Sequence, residues 1–328
     1  MTAVKIDFRP TFSSGGKEGG IRMGTRRLQE YVTSARHTDR SSAADDTPAD
    51  HAANNTTNHF FVFMEHVIAH LKALSKERTP ETYAATLRSF RRFRRGRDLT
   101  FDEVDSDQML AYESYLRSNG VRPNSTSFYM RILRAVYNRA VEKELTVQRY
   151  PFRHVYTGVD KTVKRAVSLR TIRRIREMDL SDSSALAFAR DVFLFSFYTR
   201  GMSFVDIAYL RKKDLCGGVL SYRRRKTGQQ LFVKWEKCMQ EIVHRYDNPQ
   251  SPYLLPIINP AGEVEPRRQY IYAAHRINRN LKAIGNRLGL SVPLTMYVSR
   301  HAWASIARSK NVPLSVISEG MGHDSEHT

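Results

Sequence analysis

The apolar positions of this chain recur mostly with helical spacing. Phe60, Met64, Val67, Ile68, Leu71 and Leu74 form one stripe, which predicts a helix from Phe60 onward. Thr79-Pro80-Glu81 reads as a second start, with Thr as cap and Pro in the first turn. Tyr83, Leu87 and Phe90 continue it on one side. Met109, Tyr112 and Leu116 before Gly120 predict a third helix. Pro123-Asn124-Ser125 opens a fourth, with Tyr129, Ile132, Leu133, Val136 and Tyr137 facing inward. These helices predict a compact bundle over 60–148.

A joint is expected at 149–164, where Pro151 and Gly158 interrupt the pattern. Ser168 then caps a helix through Ile172 and Ile175. The run 185–198 is apolar nearly all round, the mark of a buried helix, and it ends at Thr199-Arg200-Gly201-Met202. Ser203 with Asp206 predicts a capping box for the next helix. Residues 219–225 alternate as a strand, 226–230 read as a turn and 231–235 as the return strand, which places Lys226 at or near a hairpin tip. A helix over 269–288 and two short ones follow, the last between Pro313 and Gly320. The fold class is therefore mainly α: a four-helix bundle, then a mostly helical domain over 165–328 with a small β-sheet.

The N-terminal part differs. Residues 1–32 hold a short strand-like piece and Gly-rich turns, consistent with an abbreviated arm-like segment or with a poorly ordered end. From 33 to 59 there is no Val, Ile, Leu, Met or aromatic residue, so this stretch cannot bury apolar surface and is expected to be a flexible linker.

Charge adds a partner. Lys plus Arg number 53 against 33 Asp plus Glu, a formal charge of +20, which predicts a polyanion such as double-stranded DNA. The basic residues are spread along the chain and not gathered on one amphipathic helix, which disfavours a membrane surface. In the bundle Arg88, Arg91, Arg92, Arg95, Arg131 and Arg134 are candidate phosphate contacts, although any one of them could simply solvate a helix. Cys216 and Cys238 form no metal or disulfide pattern. With no signal peptide and no long apolar run, a soluble cytoplasmic protein is expected. His66 and His70 lie four apart on a helix with no third ligand in view, and they read as ordinary helix histidines; no P-loop or dinucleotide fingerprint is present.

Near the C-terminus comes a cluster of long polar side chains: Tyr297-Val-Ser-Arg300-His301, then Gly322-His323. Taken with Arg200 before Gly201, and Lys226 in Arg225-Lys226-Thr227-Gly228, the order resembles the tyrosine recombinases, or phage-type integrases. That family carries an Arg at a helix–Gly junction, a Lys on a β-hairpin, a His-x-x-Arg box and a Gly-His. The match covers roughly residues 60–328, and all of these motifs in order weigh far more than any one alone.

The resemblance implies metal-free, cofactor-free strand cleavage and rejoining through a 3′-phosphotyrosine, by a homo-oligomer that reaches a synaptic tetramer on DNA. It implies that Arg200 and Arg300 clamp the phosphate, that Lys226 protonates the leaving oxygen and that His323 hydrogen-bonds the phosphate. It also implies a nucleoid-associated protein of a bacterial or phage mobile element. Two departures matter. Tyr297 stands where the family has a histidine, so Tyr297 and His301 are left as supporting residues, His301 as a buried one behind the site. No tyrosine follows Tyr297, so the nucleophile expected about nine residues beyond the Gly-His is not in this sequence, as if the chain were truncated before it. The competing expectation is a catalytically inactive DNA-binding remnant or regulator that occupies recombination sites. An RNA-binding protein would need stacking motifs that the sequence does not offer.

Overall fold

The computed structural model describes residues 58–74, 78–160 and 165–322. The expectations for 1–57 and for His323 lie outside the described residues. The chain divides into two compact units, with the break after Asp160.

In the first unit α1 (Phe60–Ala73), α2 (Arg78–Phe93), α3 (Ser106–Ser118) and α4 (Pro123–Glu142) surround one core. Phe60, Phe90, Phe101, Tyr112 and Tyr137 are almost fully buried there, and Phe60, Phe90 and Phe101 meet edge to face, the arrangement that aromatic quadrupoles favour. Asp105 caps α3 through the Gln108 N–H at 2.8 Å, and Pro123 occupies the first turn of α4. Thr79 sits one residue inside α2, not at its cap; its carbonyl accepts from the Thr82 hydroxyl at 2.8 Å. Phe152 and Val155 insert into the bundle core. Buried Glu113 accepts from the Tyr156 N–H at 3.0 Å, and Asn124 and Asp160 exchange side-chain and backbone hydrogen bonds. The backbone from 152 to 160 is thereby held on the bundle.

In the second unit the buried helix α6 (Ser184–Tyr198) is the axis. Around it lie α5 (Leu169–Glu177), α7 (Phe204–Ala208), α8 (Lys237–Arg245), α9 (Pro266–Arg287), α10 (Met296–Ser309) and α11 (Leu314–Gly320). Ser168 caps α5 and Ser183 caps α6. Asp191, buried within α6, is compensated by Arg190, Arg245 and the Tyr246 hydroxyl, as a buried carboxylate requires. Strands β1 (Leu215–Cys216), β2 (Val219–Arg223) and β3 (Gln230–Lys234) form an antiparallel sheet in the order β1-β2-β3. The sequence pattern picked out β2 and β3 to within a residue or two. It missed α8, and it missed β1, which at two residues is too short to show a period of its own.

No helix among the described residues is long and apolar enough to cross a membrane.

Candidate active site

The site is built where the end of α6 meets α10 and the end of α11. Helix α6 closes with Thr199, whose N–H reaches the Phe195 carbonyl at 2.9 Å, and with a longer closing bond from the Gly201 N–H to the Ser196 carbonyl at 2.8 Å. That closure puts Arg200 at φ 60° and Gly201 at φ 73°. A left-handed arginine costs energy that only a surrounding structure can hold in place. The constraint is visible at Gly201, where a Cβ would fall 2.8 Å from Arg300 Cα. The corner is fixed from below by hydroxyls: Ser196 and Ser299 meet at 2.6 Å, and Ser196 donates to the Met202 carbonyl at 2.8 Å.

Arg300, on α10, is buried and forked between two backbone carbonyls, Gly201 O and Met321 O, each at 2.7 Å. Burial pulls its pKa below the ordinary arginine value, and repulsion from the Arg224 guanidinium adds to the effect. Arg200 is half-buried and makes no hydrogen bond or ion pair to the described residues; its Cδ lies 3.6 Å from the position a Cβ would take on Gly320. Both arginines thus approach the C-terminal end of α11.

Lys226 is exposed at the middle of the turn between β2 and β3. The turn is closed by Arg224 N–H to Gln229 O and Gly228 N–H to Arg224 O, both at 2.8 Å. Asp206 anchors it from α7 by accepting from the Arg225 N–H at 2.9 Å. The expected capping box does not form: Ser203 makes no side-chain cap, the Asp206 N–H donates to the Ser203 carbonyl at 2.9 Å, and the Asp206 carboxylate is spent across the fold on the hairpin. Nor does Asp206 pair with Arg200. Burial raises the Asp206 pKa above the usual aspartate value, while the Arg225 N–H and then Arg224 and Arg300 pull it back. Tyr222 is buried beside the same charges, and desolvation pushes its hydroxyl well above the usual phenol range.

Tyr297 is 66 % exposed, and its ring meets His301 edge to face at 4.4 Å. His301 is half-buried, not buried: the first two turns of α10 turn Val298, Ser299 and Ala302 inward and leave Tyr297 and His301 on the outer side. Among the described residues no group of three or more His, Cys, Asp or Glu could hold a metal ion.

Sequence reasoning missed Arg224. It is 5 % exposed, and its Nη1 donates to the Gly322 carbonyl. Its signal was present in the strand alternation: Leu220, Tyr222 and Arg224 share the inward phase of β2 and its extension, so an arginine occupies a core-facing position.

In the first unit Arg88, Arg91, Arg92, Arg95, Arg131 and Arg134 are all exposed. Arg91 pairs with Glu65 at 2.7 Å and covers the Phe61 ring at 5.2 Å. Arg134 donates to the Thr157 hydroxyl at 3.3 Å, and Arg131 lies close enough to Tyr156 to act on its charge.

Residues 59–155 match the phage integrase SAM-like domain. The chain is 22 % identical over 285 residues to tyrosine recombinase XerD of Rhizobium meliloti (strain 1021), covering 79 % of this chain and 86 % of XerD. A lambda integrase dimer bound to a COC′ core site has a similar fold, with TM-score 0.63 and 14 % identity over 86 % of this chain and 79 % of that one. So does the Tn1549 transposon integrase in complex with transposon right end DNA, with TM-score 0.61 and 13 % identity over 82 % of this chain and 92 % of that one. The chain is therefore similar in sequence to a tyrosine recombinase, shares the fold of these integrases, and matches the phage integrase SAM-like domain at residues 59–155.

Proposed function

We propose that this protein is a site-specific DNA recombinase of a mobile element, cleaving and rejoining strands by phosphoryl transfer. The observation that carries the reading is the convergence of Arg200, Arg224 and Arg300, with Asp206 as the carboxylate among them, beside the turn that bears Lys226. Such an excess of buried positive charge is costly on its own and favourable around an anion. In phosphoryl transfer a phenolate oxygen attacks phosphorus, the bond to the 5′-oxygen breaks, and that oxygen leaves with a proton. The 3′-phosphotyrosine is later resolved by a 5′-hydroxyl, which returns the tyrosine. In this scheme Arg200 and Arg300 neutralise the non-bridging oxygens through planar forks, and Lys226 supplies the proton to the leaving oxygen. His323 follows Gly322 and would complete the phosphate contacts.

The exposed arginines of the first unit would position duplex DNA by phosphate contacts without reading its sequence. The protein would work as a homo-oligomer, reaching a tetramer when two sites are brought together, in the cytoplasm where its DNA lies.

In this reading none of the 328 residues is assigned as the attacking hydroxyl, since no tyrosine among them follows Tyr297. Tyr297 is exposed with its ring set edge to face against His301, and this reading gives it a supporting role. A polypeptide ending at Thr328 is therefore expected to bind DNA and form no covalent adduct. The test is a substrate nicked near the cleavage point, incubated with this polypeptide and with versions carried further along its gene, then run on a denaturing gel. A shifted band only from a longer version containing a tyrosine supports the recombinase. A band from the 328-residue polypeptide would refute the nucleophile assignment. Binding without an adduct in every version would instead favour the competing reading, an inactive protein that occupies recombination sites.

A further inference from the structure

Arg224 occupies a place that neither a hairpin nor a helix end requires. It continues the inward phase of β2, with its backbone N–H and carbonyl closing the Lys226 turn at both ends. Its guanidinium reaches across 98 residues to the Gly322 carbonyl. Arg300 donates to the adjacent carbonyl, Met321 O, at 2.7 Å. Two guanidiniums from different elements thus hold consecutive carbonyls at the end of α11, where a helix leaves such acceptors unpaired.

The fit around Gly322 is close. It adopts φ 68°, and a Cβ there would lie 2.5 Å from Arg224 Cδ and 3.0 Å from Gln229 Oε1 and Leu231 Cδ1. Gln229 Oε1 is itself buried without a hydrogen-bond partner among the described residues. The turn and the chain around Gly322 are therefore packed as one piece, and Arg224 is the charged link between them.

Resting on the recombinase reading, we propose that Arg224 is a positioning residue of the anion site, which fastens the Lys226 turn to the backbone just before residue 323. Its bond to Gly322 O sets the spacing between the lysine turn and the end of α11. Its charge, close to Arg300, adds to the attraction for an anion held there.

The test uses the 328-residue chain and orthovanadate, a probe that takes the five-coordinate geometry of a phosphoryl centre, with binding read from vanadium NMR line broadening. Arg224→Ala and Gly322→Ala, which disrupt the same bond from opposite sides, should each weaken orthovanadate binding by about tenfold, the scale of a charge-assisted hydrogen bond. Affinity for random duplex DNA should stay within about twofold of the parent, since the exposed arginines supply that binding. Arg224→Lys should recover the thermal midpoint more fully than the orthovanadate affinity, because a point charge cannot reproduce the fork. If Arg224→Ala does not fold, Gly322→Ala and Arg224→Lys decide the matter. Orthovanadate affinities within about twofold of the parent in the folded variants would overturn this role alone. A parent chain that binds no orthovanadate would overturn the recombinase reading and this role together.

Discussion

Arg300 and Arg224 in the second unit, and Arg88, Arg131 and Arg134 in the first, carry the same guanidinium into opposite surroundings. The first pair is buried and aimed by backbone carbonyls; the others stand in solvent along α2 and α4. A buried guanidinium has little freedom to adjust, so it can recognise one geometry of charge. An exposed one is screened and mobile, so it contributes affinity that depends on salt and little else. The contrast teaches that a chain of high positive charge divides its arginines by environment, not by number.

The sharpest way to break this contrast is to remove Arg300. In a version of the protein able to cleave, Arg300→Ala should reduce single-turnover cleavage by about 10²-fold or more, and Arg200→Ala should do the same, with DNA affinity nearly unchanged. If Arg131→Ala lowered cleavage as much as Arg300→Ala, the division would be wrong.

A second probe tests the scaffold under the buried arginines. Gly201→Ala should cost about 1–3 kcal/mol of stability in denaturant unfolding, since the residue must hold a left-handed conformation and its new Cβ would press on the Arg300 backbone. Gly96→Ala, also at positive φ but with nothing within 4 Å of its Cβ, isolates the conformational part of that cost. Equal losses at the two positions would remove the argument for close packing at Gly201.

On the exposed side, Arg131→Ala with Arg134→Ala should leave unfolding within about 0.5 kcal/mol per substitution. The slope of log affinity for duplex DNA against log salt should flatten by roughly one for each phosphate no longer neutralised. An unchanged slope, measured by titration at several salt concentrations, would detach these residues from DNA.

The smallest effect is a titration. Burial raises the Asp206 pKa above the usual aspartate value, while Arg224 and Arg300 lower it. A carboxyl whose folded value is raised stabilises the fold below its unfolded pKa, and that contribution is lost as pH rises through the folded value. Asp206→Asn removes a contribution that grows as pH falls, so the loss of stability toward acid should be steeper than in the parent. Arg300→Ala should move the Asp206 carboxyl resonance to titrate at still higher pH, and Arg131→Ala should not move it.

The second unit's site was legible in parts. The surroundings of Arg200 and Lys226 follow from local punctuation, an apolar helix ending at Gly201 and a hairpin turn at Thr227-Gly228, but the grouping of these two residues with Arg300 came only from the resemblance in motif order. The assembly around them was not legible. Ser203 and Asp206 look like a local capping pair, yet Asp206 bonds to the amide of Arg225, 19 residues away. His301 looks like an inward neighbour of Arg300, yet the turn of α10 places it on the side of Tyr297.

The sequence by itself determined the helix and strand periods, the cap at Ser168, the fold class and the order of the basic motifs. Each of these depends on neighbours within a turn or a strand of one another, and backbone geometry converts such spacing directly into a face or an end. Only the tertiary structure decided that Arg224 is buried, that Arg300 forks between Gly201 and Met321, and that the α6 corner is pinned by Ser196 and Ser299. Those contacts join atoms 21 to 103 residues apart. No local period encodes which buried carbonyl or hydroxyl will lie within reach of a long side chain once separate elements pack.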